Sequence, residues 1–163
     1  MKLKFTIPFI LGFIYVNAQT DSLAPYLRNP VLPQFSILKP DSVTWFTKDD
    51  LKRGRKSMIM LFSPDCDHCK KQTDIIVENI DRLKDLEIVM TTFQPVEKMR
   101  RFYEKYELSK YPNIHVGRDV RYFFGPFYRF RYSPFLAIYD ENEKLIKVYE
   151  GGAKKDKLLE VLK

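Results

Sequence analysis

Cysteine is nearly absent from this 163-residue chain, which has only Cys66 and Cys69. Two cysteines exclude a disulfide-built scaffold. With only two histidines, His68 and His115, one CxxC also falls short of the four ligands a structural zinc site takes. Neither cysteine lies near residue 18, where a leader would be cleaved, so a lipid-modified N-terminal cysteine is not expected. A membrane-spanning run is missing too. The one candidate, FTIPFILGFIYV at residues 5–16, is too short for a hydrocarbon core of roughly 30 Å, and Pro8 interrupts it. No block of like charge stands out. The 28 Lys and Arg against 21 Asp and Glu give +7, but they are spread along the chain, so no nucleic-acid partner is expected. There is no internal repeat.

What is present reads as one folded domain behind a leader. A hydrophobic content of 45% with 15% aromatics belongs to globular proteins and not to the disordered class. The length is enough to bury a core without staples. MKLK followed by the apolar run and Val16-Asn17-Ala18 is the pattern of a cleaved signal peptide over residues 1–18. Cleavage there removes Lys2 and Lys4 and lowers the charge from +7 to +5. Export places the cysteine pair where disulfides persist.

Residues 19–34, with Pro25, Pro30 and Pro33, read as an extended lead-in. Phe35 to Leu38 and Val43 to Phe46 read as a hairpin. Met58 to Phe62 is a continuous apolar run, as expected of a strand covered on both faces. After Cys66 the period changes. Cys69, Thr73, Ile76, Ile80 and Leu83 fall on one helical stripe. Ile88 to Phe93 reads as a strand, and Gln94-Pro95 opens a second helix whose apolar positions are Val96, Met99, Phe102 or Tyr103, and Tyr106. Phe135 to Tyr139 and Leu145 to Tyr149 read as an antiparallel pair, and Lys154 to Leu162 as a closing helix.

Cys66 therefore stands between a buried strand and the first turn of a helix. Unpaired amides and the positive end of the helix dipole favour a thiolate there, so Cys66 is the expected nucleophile. Cys69, three residues on and facing the core, is within reach to resolve a mixed disulfide. A purely structural disulfide over so short a loop would remove little chain entropy. His68 reads either as a cation favouring the thiolate or as an ordinary exposed residue. Asp65 and Asp67 flank Cys66 and oppose the thiolate by like-charge repulsion.

The strand Met58 to Phe62, Cys66-Asp67-His68-Cys69 opening a helix, and Ser133-Pro134 directly before a strand together resemble the thioredoxin superfamily. The stretches Leu32-Pro33-Gln34-Phe35 to Asp49-Asp50-Leu51 and Tyr139-Asp140-Glu141-Asn142-Glu143-Lys144 to Glu150-Gly151-Gly152 more closely resemble the exported TlpA/ResA-like redoxins of the bacterial envelope. The resemblance spans residues 32–163. It implies an α/β thioredoxin-like fold over residues 35–163, a central mixed sheet flanked by helices, with an N-terminal β-hairpin extension. It also implies a thiol-disulfide oxidoreductase, Cys66 attacking and Cys69 resolving, with neither metal nor organic cofactor. Pro134 would be a cis-proline, and the backbone of Ser133 would pair with an extended client.

The implied partners are client protein thiols or disulfides and a membrane redox partner that recharges the pair, with the protein acting in the periplasm as a monomer. The resemblance favours a reductase. A thiol oxidant of the same fold, or a non-enzymatic redoxin-fold module that binds metal or protein, are the alternatives. Met60 replaces the buried Asp of cytosolic-type thioredoxins and Asp65 replaces the Trp before their first cysteine. Ile59 stands where a peroxiredoxin motif has proline, which disfavours peroxide reduction. The segment RYFFGPFYRFRYSPF, residues 121–135, interleaves aromatics with arginines ahead of Pro134. Tyr128 and Phe130 within it are candidate client contacts, or else aromatic core.

Overall fold

A computed structural model of the chain describes residues 23–161. The expected leader, residues 1–18, lies outside them. Seven strands form one sheet: β1 (Ser36–Leu38), β2 (Trp45–Thr47), β3 (Ser57–Leu61), β4 (Glu87–Thr92), β5 (Ile114–Arg118), β6 (Phe135–Tyr139) and β7 (Leu145–Glu150), in the order β2-β1-β5-β4-β3-β6-β7. The strands β3, β4 and β5 are parallel, and β6, β7, β1 and β2 are each added antiparallel. The helices are α1 (Pro25–Arg28), α2 (Asp67–Glu78), α3 (Val96–Lys105), α4 (Phe124–Tyr128) and α5 (Lys155–Val161).

The unbroken apolar run of β3 has a direct cause. Met58 and Met60 point into one core with Ile88, Met90 and Leu136, under α2, α3 and α5, which contribute Cys69, Ile76, Met99, Phe102, Leu158 and Leu159. Ile59 and Leu61 point the other way, to Ile37, Phe46, Val89, Ala137, Phe124 and Tyr128. Both faces are covered, so neither alternates with polar residues. The period-two geometry of the strand sorts one run into two cores.

Four local readings change. The lead-in is not extended throughout: residues 25–28 make a helical turn. Pro25 occupies its start, where a missing N–H costs nothing, and Tyr26 packs 5.4 Å from Tyr128 and 6.1 Å from Phe135, centroid to centroid. Ala24 and Leu32 are buried. The helix after Cys66 ends at Glu78, and the apolar stripe reaches Leu83 through a 3-10 turn at Ile80–Arg82. A strand at Ile114–Arg118 went unread. Its Ile114 and Val116 alternate with His115, and Gly117 is required by close packing, since a Cβ there would stand 2.7 Å from Ile37 Cγ1. Lastly, part of the aromatic segment ahead of Pro134 is the short helix α4, capped by Asp119, whose carboxylate accepts from the Phe123 and Phe124 amides at 3.0 and 2.9 Å.

Candidate active site

The end of β3 aims the chain into the site. Phe62 N–H still donates to Thr91 O at 3.0 Å, then a turn closes with Cys66 N–H on Ser63 O at 3.1 Å. Cys66 is the N-cap of α2, with extended dihedrals of φ −81° and ψ 122°. Its carbonyl accepts the Lys70 amide at 3.0 Å, and its Sγ accepts the Cys69 amide at 3.4 Å. A sulfur thus takes the place that a Ser or Asp oxygen takes in an ordinary N-cap. Both cysteines are free thiols, Cys66 half-buried and Cys69 buried.

The two sulfurs live in different surroundings. Cys69 has 0% exposure, and burial, with the Cys66 thiol beside it, pushes its thiol up to about 12. Its Sγ accepts one amide, from Ser63 at 3.4 Å. The Cys66 Sγ lies 3.8 Å from Ser133 O, and the Ser133-Pro134 peptide is cis. The outer thiol therefore faces the Ser133 backbone. The inner thiol stays protonated behind it.

The charges around Cys66 are arranged in pairs. Lys98 Nζ lies 2.5 Å from Asp65, and Lys70 Nζ lies 2.8 Å from Asp67. These lysines hold both carboxyls below their ordinary range. The repulsion expected from Asp65 and Asp67 is largely offset by a cation on each. His68 is exposed on the first turn of α2, and among the described residues its ring makes no hydrogen bond to either sulfur.

The aromatic segment divides. Tyr128 is 1% exposed and its hydroxyl shares a 2.7 Å hydrogen bond with that of Tyr139. Burial raises the Tyr128 phenol well above its ordinary value. The client-contact reading of Tyr128 is therefore corrected: α4 turns it into the core. Phe130 is half-buried against Phe135, ring centroids 5.7 Å apart. It shares a narrow cleft with Ser63, Thr91, Phe93 and Ser133.

Some residues of the site were not foreseen. Gln72 is 2% exposed, and its Oε1 accepts the Ala153 amide at 2.7 Å. Gly152, at φ +102°, passes so close that a Cβ would lie 2.9 Å from Gln72 Oε1 and 3.4 Å from Pro134 Cγ. Glycine suits both the dihedral and the contact. Gln72 thereby ties α2 to the segment after β7, directly against Pro134. The sequence signal for this contact is the doublet Gly151-Gly152 directly after β7.

No protein-family model matches the chain, and no curated protein matches it. Solved structures do match. A secreted disulfide oxidoreductase of Mycobacterium tuberculosis, homologous to E. coli DsbE, superposes with a TM-score of 0.66 at 16% identity, over 79% of this chain and 94% of the other. MTB dsbF gives 0.67 at 18%, over 79% and 92%. The chain has the thioredoxin-like fold. The exposed lipoprotein thioredoxin of Streptococcus pneumoniae shares it, with a TM-score of 0.61 at 22% identity over 80% and 98%. The mixed sheet, the helices on its faces and the N-terminal hairpin follow the expectation that the resemblance implied.

Proposed function

We propose that this protein is a thiol-disulfide oxidoreductase exchanging disulfides through Cys66 and Cys69. The observation that carries the reading is the asymmetry of the pair. One sulfur is half-buried, accepts an amide at a helix start and lies 3.8 Å from the Ser133 carbonyl that precedes the cis-proline, while the other is fully buried one turn behind it. Cys66, as thiolate, attacks one sulfur of a client disulfide, forms a mixed disulfide and releases the first client thiolate. Cys69 then gives up its proton and attacks Cys66 Sγ. The Cys66–Cys69 disulfide forms, the second client thiolate leaves, and the client has gained two electrons, its two thiolates taking the proton from Cys69 and one from water.

The reductase direction is the one we favour. A strong oxidant draws its driving force from a stabilised reduced form, whereas Cys66 Sγ has one amide donating to it and a carbonyl accepting from it. Ser133 pairs with an extended client strand, and Phe130 borders the client's path. The mature protein works in the envelope after loss of residues 1–18, as a monomer recharged by a membrane redox partner. The secreted and surface-exposed character of two of its structural neighbours supports that setting.

The test is trapping. Cys69→Ser is expected to accumulate a mixed disulfide between Cys66 and a model client such as insulin, and Cys66→Ser to accumulate none. Equal trapping by both variants, or by neither, would refute the assignment of roles.

A further inference from the structure

A basic cleft of about 140 Å³ opens beside the turn that leads into Cys66. One wall is Pro64 and Asp65, the residues leading into Cys66. The other walls are Lys70 of α2 and Lys98, Arg101, Phe102 and Lys105 of α3. Two of its four cations are already engaged, Lys98 by Asp65 and Lys70 by Asp67. Arg101 and Lys105 are exposed and form no ion pair among the described residues, Arg101 acting on Asp65 only at longer range. Glu97 and Glu104 share the helix but do not line the cleft. Lys105 rests over the Tyr106 ring at 5.5 Å, which steadies its direction without neutralising it.

From this charge pattern we propose that the cleft docks an acidic segment of the partner protein whose disulfide meets Cys66. The inference rests on the exchange reading above and adds to it a class of partner: proteins carrying Asp or Glu next to the reacting cysteine. The carboxylates fit because two cations of the cleft make no ion pair and share it with Pro64 and Asp65, the residues that lead into Cys66. Attraction there raises encounter in the productive orientation more than it tightens the complex.

The experiment compares two disulfide-linked peptides of equal length, one with Asp and Glu beside each cysteine and one with Asn and Gln. At low salt the reduced protein is expected to reduce the acidic peptide about tenfold faster in kcat/KM, as two partly screened surface ion pairs allow. The ratio should fall to about one in 0.5 M NaCl, and also in Arg101→Ala/Lys105→Ala, whose urea midpoint reports that it is folded. Equal rates for the two peptides in the wild-type protein, or a ratio that survives the double substitution, would overturn the proposal. Binding of anionic phosphatidylserine vesicles that the double variant loses, without any peptide preference, would assign the cleft to a lipid surface and overturn it as well. The small neutral 2-hydroxyethyl disulfide separates the two levels. If it too goes unreduced, thiol exchange itself fails and the docking proposal with it. If it is reduced while the peptides are not distinguished, only the docking proposal fails.

Discussion

Taking the reduced protein from pH 8 to pH 10 is expected to destabilise it through Cys69. Burial pushes this thiol up to about 12, against an ordinary value of 9.0. Between those values the unfolded chain releases the proton and the folded protein keeps it, so the unfolded state binds fewer protons and stability falls as pH rises. Below pH 9 the contribution is fully present. At pH 10 the unfolded thiol is one unit past its midpoint and the folded one has scarcely begun to ionise, which amounts to about 1.4 kcal/mol. Other groups also titrate in this range, Tyr128 and Tyr139 with the same sign. The quantity to read is therefore a double difference: urea unfolding of wild type and Cys69→Ala, each at pH 8 and pH 10, under a phosphine reductant. Wild type should lose about 1.4 kcal/mol more than the variant. Equal losses would refute the picture of a desolvated inner thiol.

Two further substitutions test the surroundings of the pair. Tyr128→Phe strands the buried Tyr139 hydroxyl and should cost about 1–3 kcal/mol in urea unfolding while leaving the rate of client exchange unchanged. A slowed exchange at unaltered stability would restore Tyr128 to the client surface. Gly152→Ala forces a Cβ against Gln72 Oε1 and Pro134 at a dihedral of φ +102°, and a loss of about 1–3 kcal/mol is expected. An unchanged urea midpoint would remove Gly152 from the framework of the site.

Much of this site was legible because its signals are local. A strand covered on both faces must read as an unbroken apolar run, and a cysteine directly after it, opening a helical stripe, can only sit at the helix N-cap. The failures concern contacts distant in sequence. β5 was missed because His115 and Gly117 interrupt its apolar pattern, and both are explained only by partners far along the chain: Glu87, 2.8 Å from His115, the Phe46 ring stacked on it at 4.1 Å, and Ile37 against Gly117. Tyr128 is near Pro134 in sequence, but the turn of α4 sends it to the opposite side of the sheet from Cys69. Gln72 gave no signal, since a polar residue on a helix reads as solvated until the amide that it meets, here Ala153, is known.

The central claim is that Cys66 and Cys69 form one reversible, reducing dithiol couple. Equilibrating the protein with glutathione buffers of graded ratio and counting free thiols measures it directly. A single two-electron transition near the roughly −270 mV of thioredoxin is the expected result. A midpoint near the roughly −120 mV of DsbA would contradict the reductase direction, and the absence of any transition would contradict the couple itself.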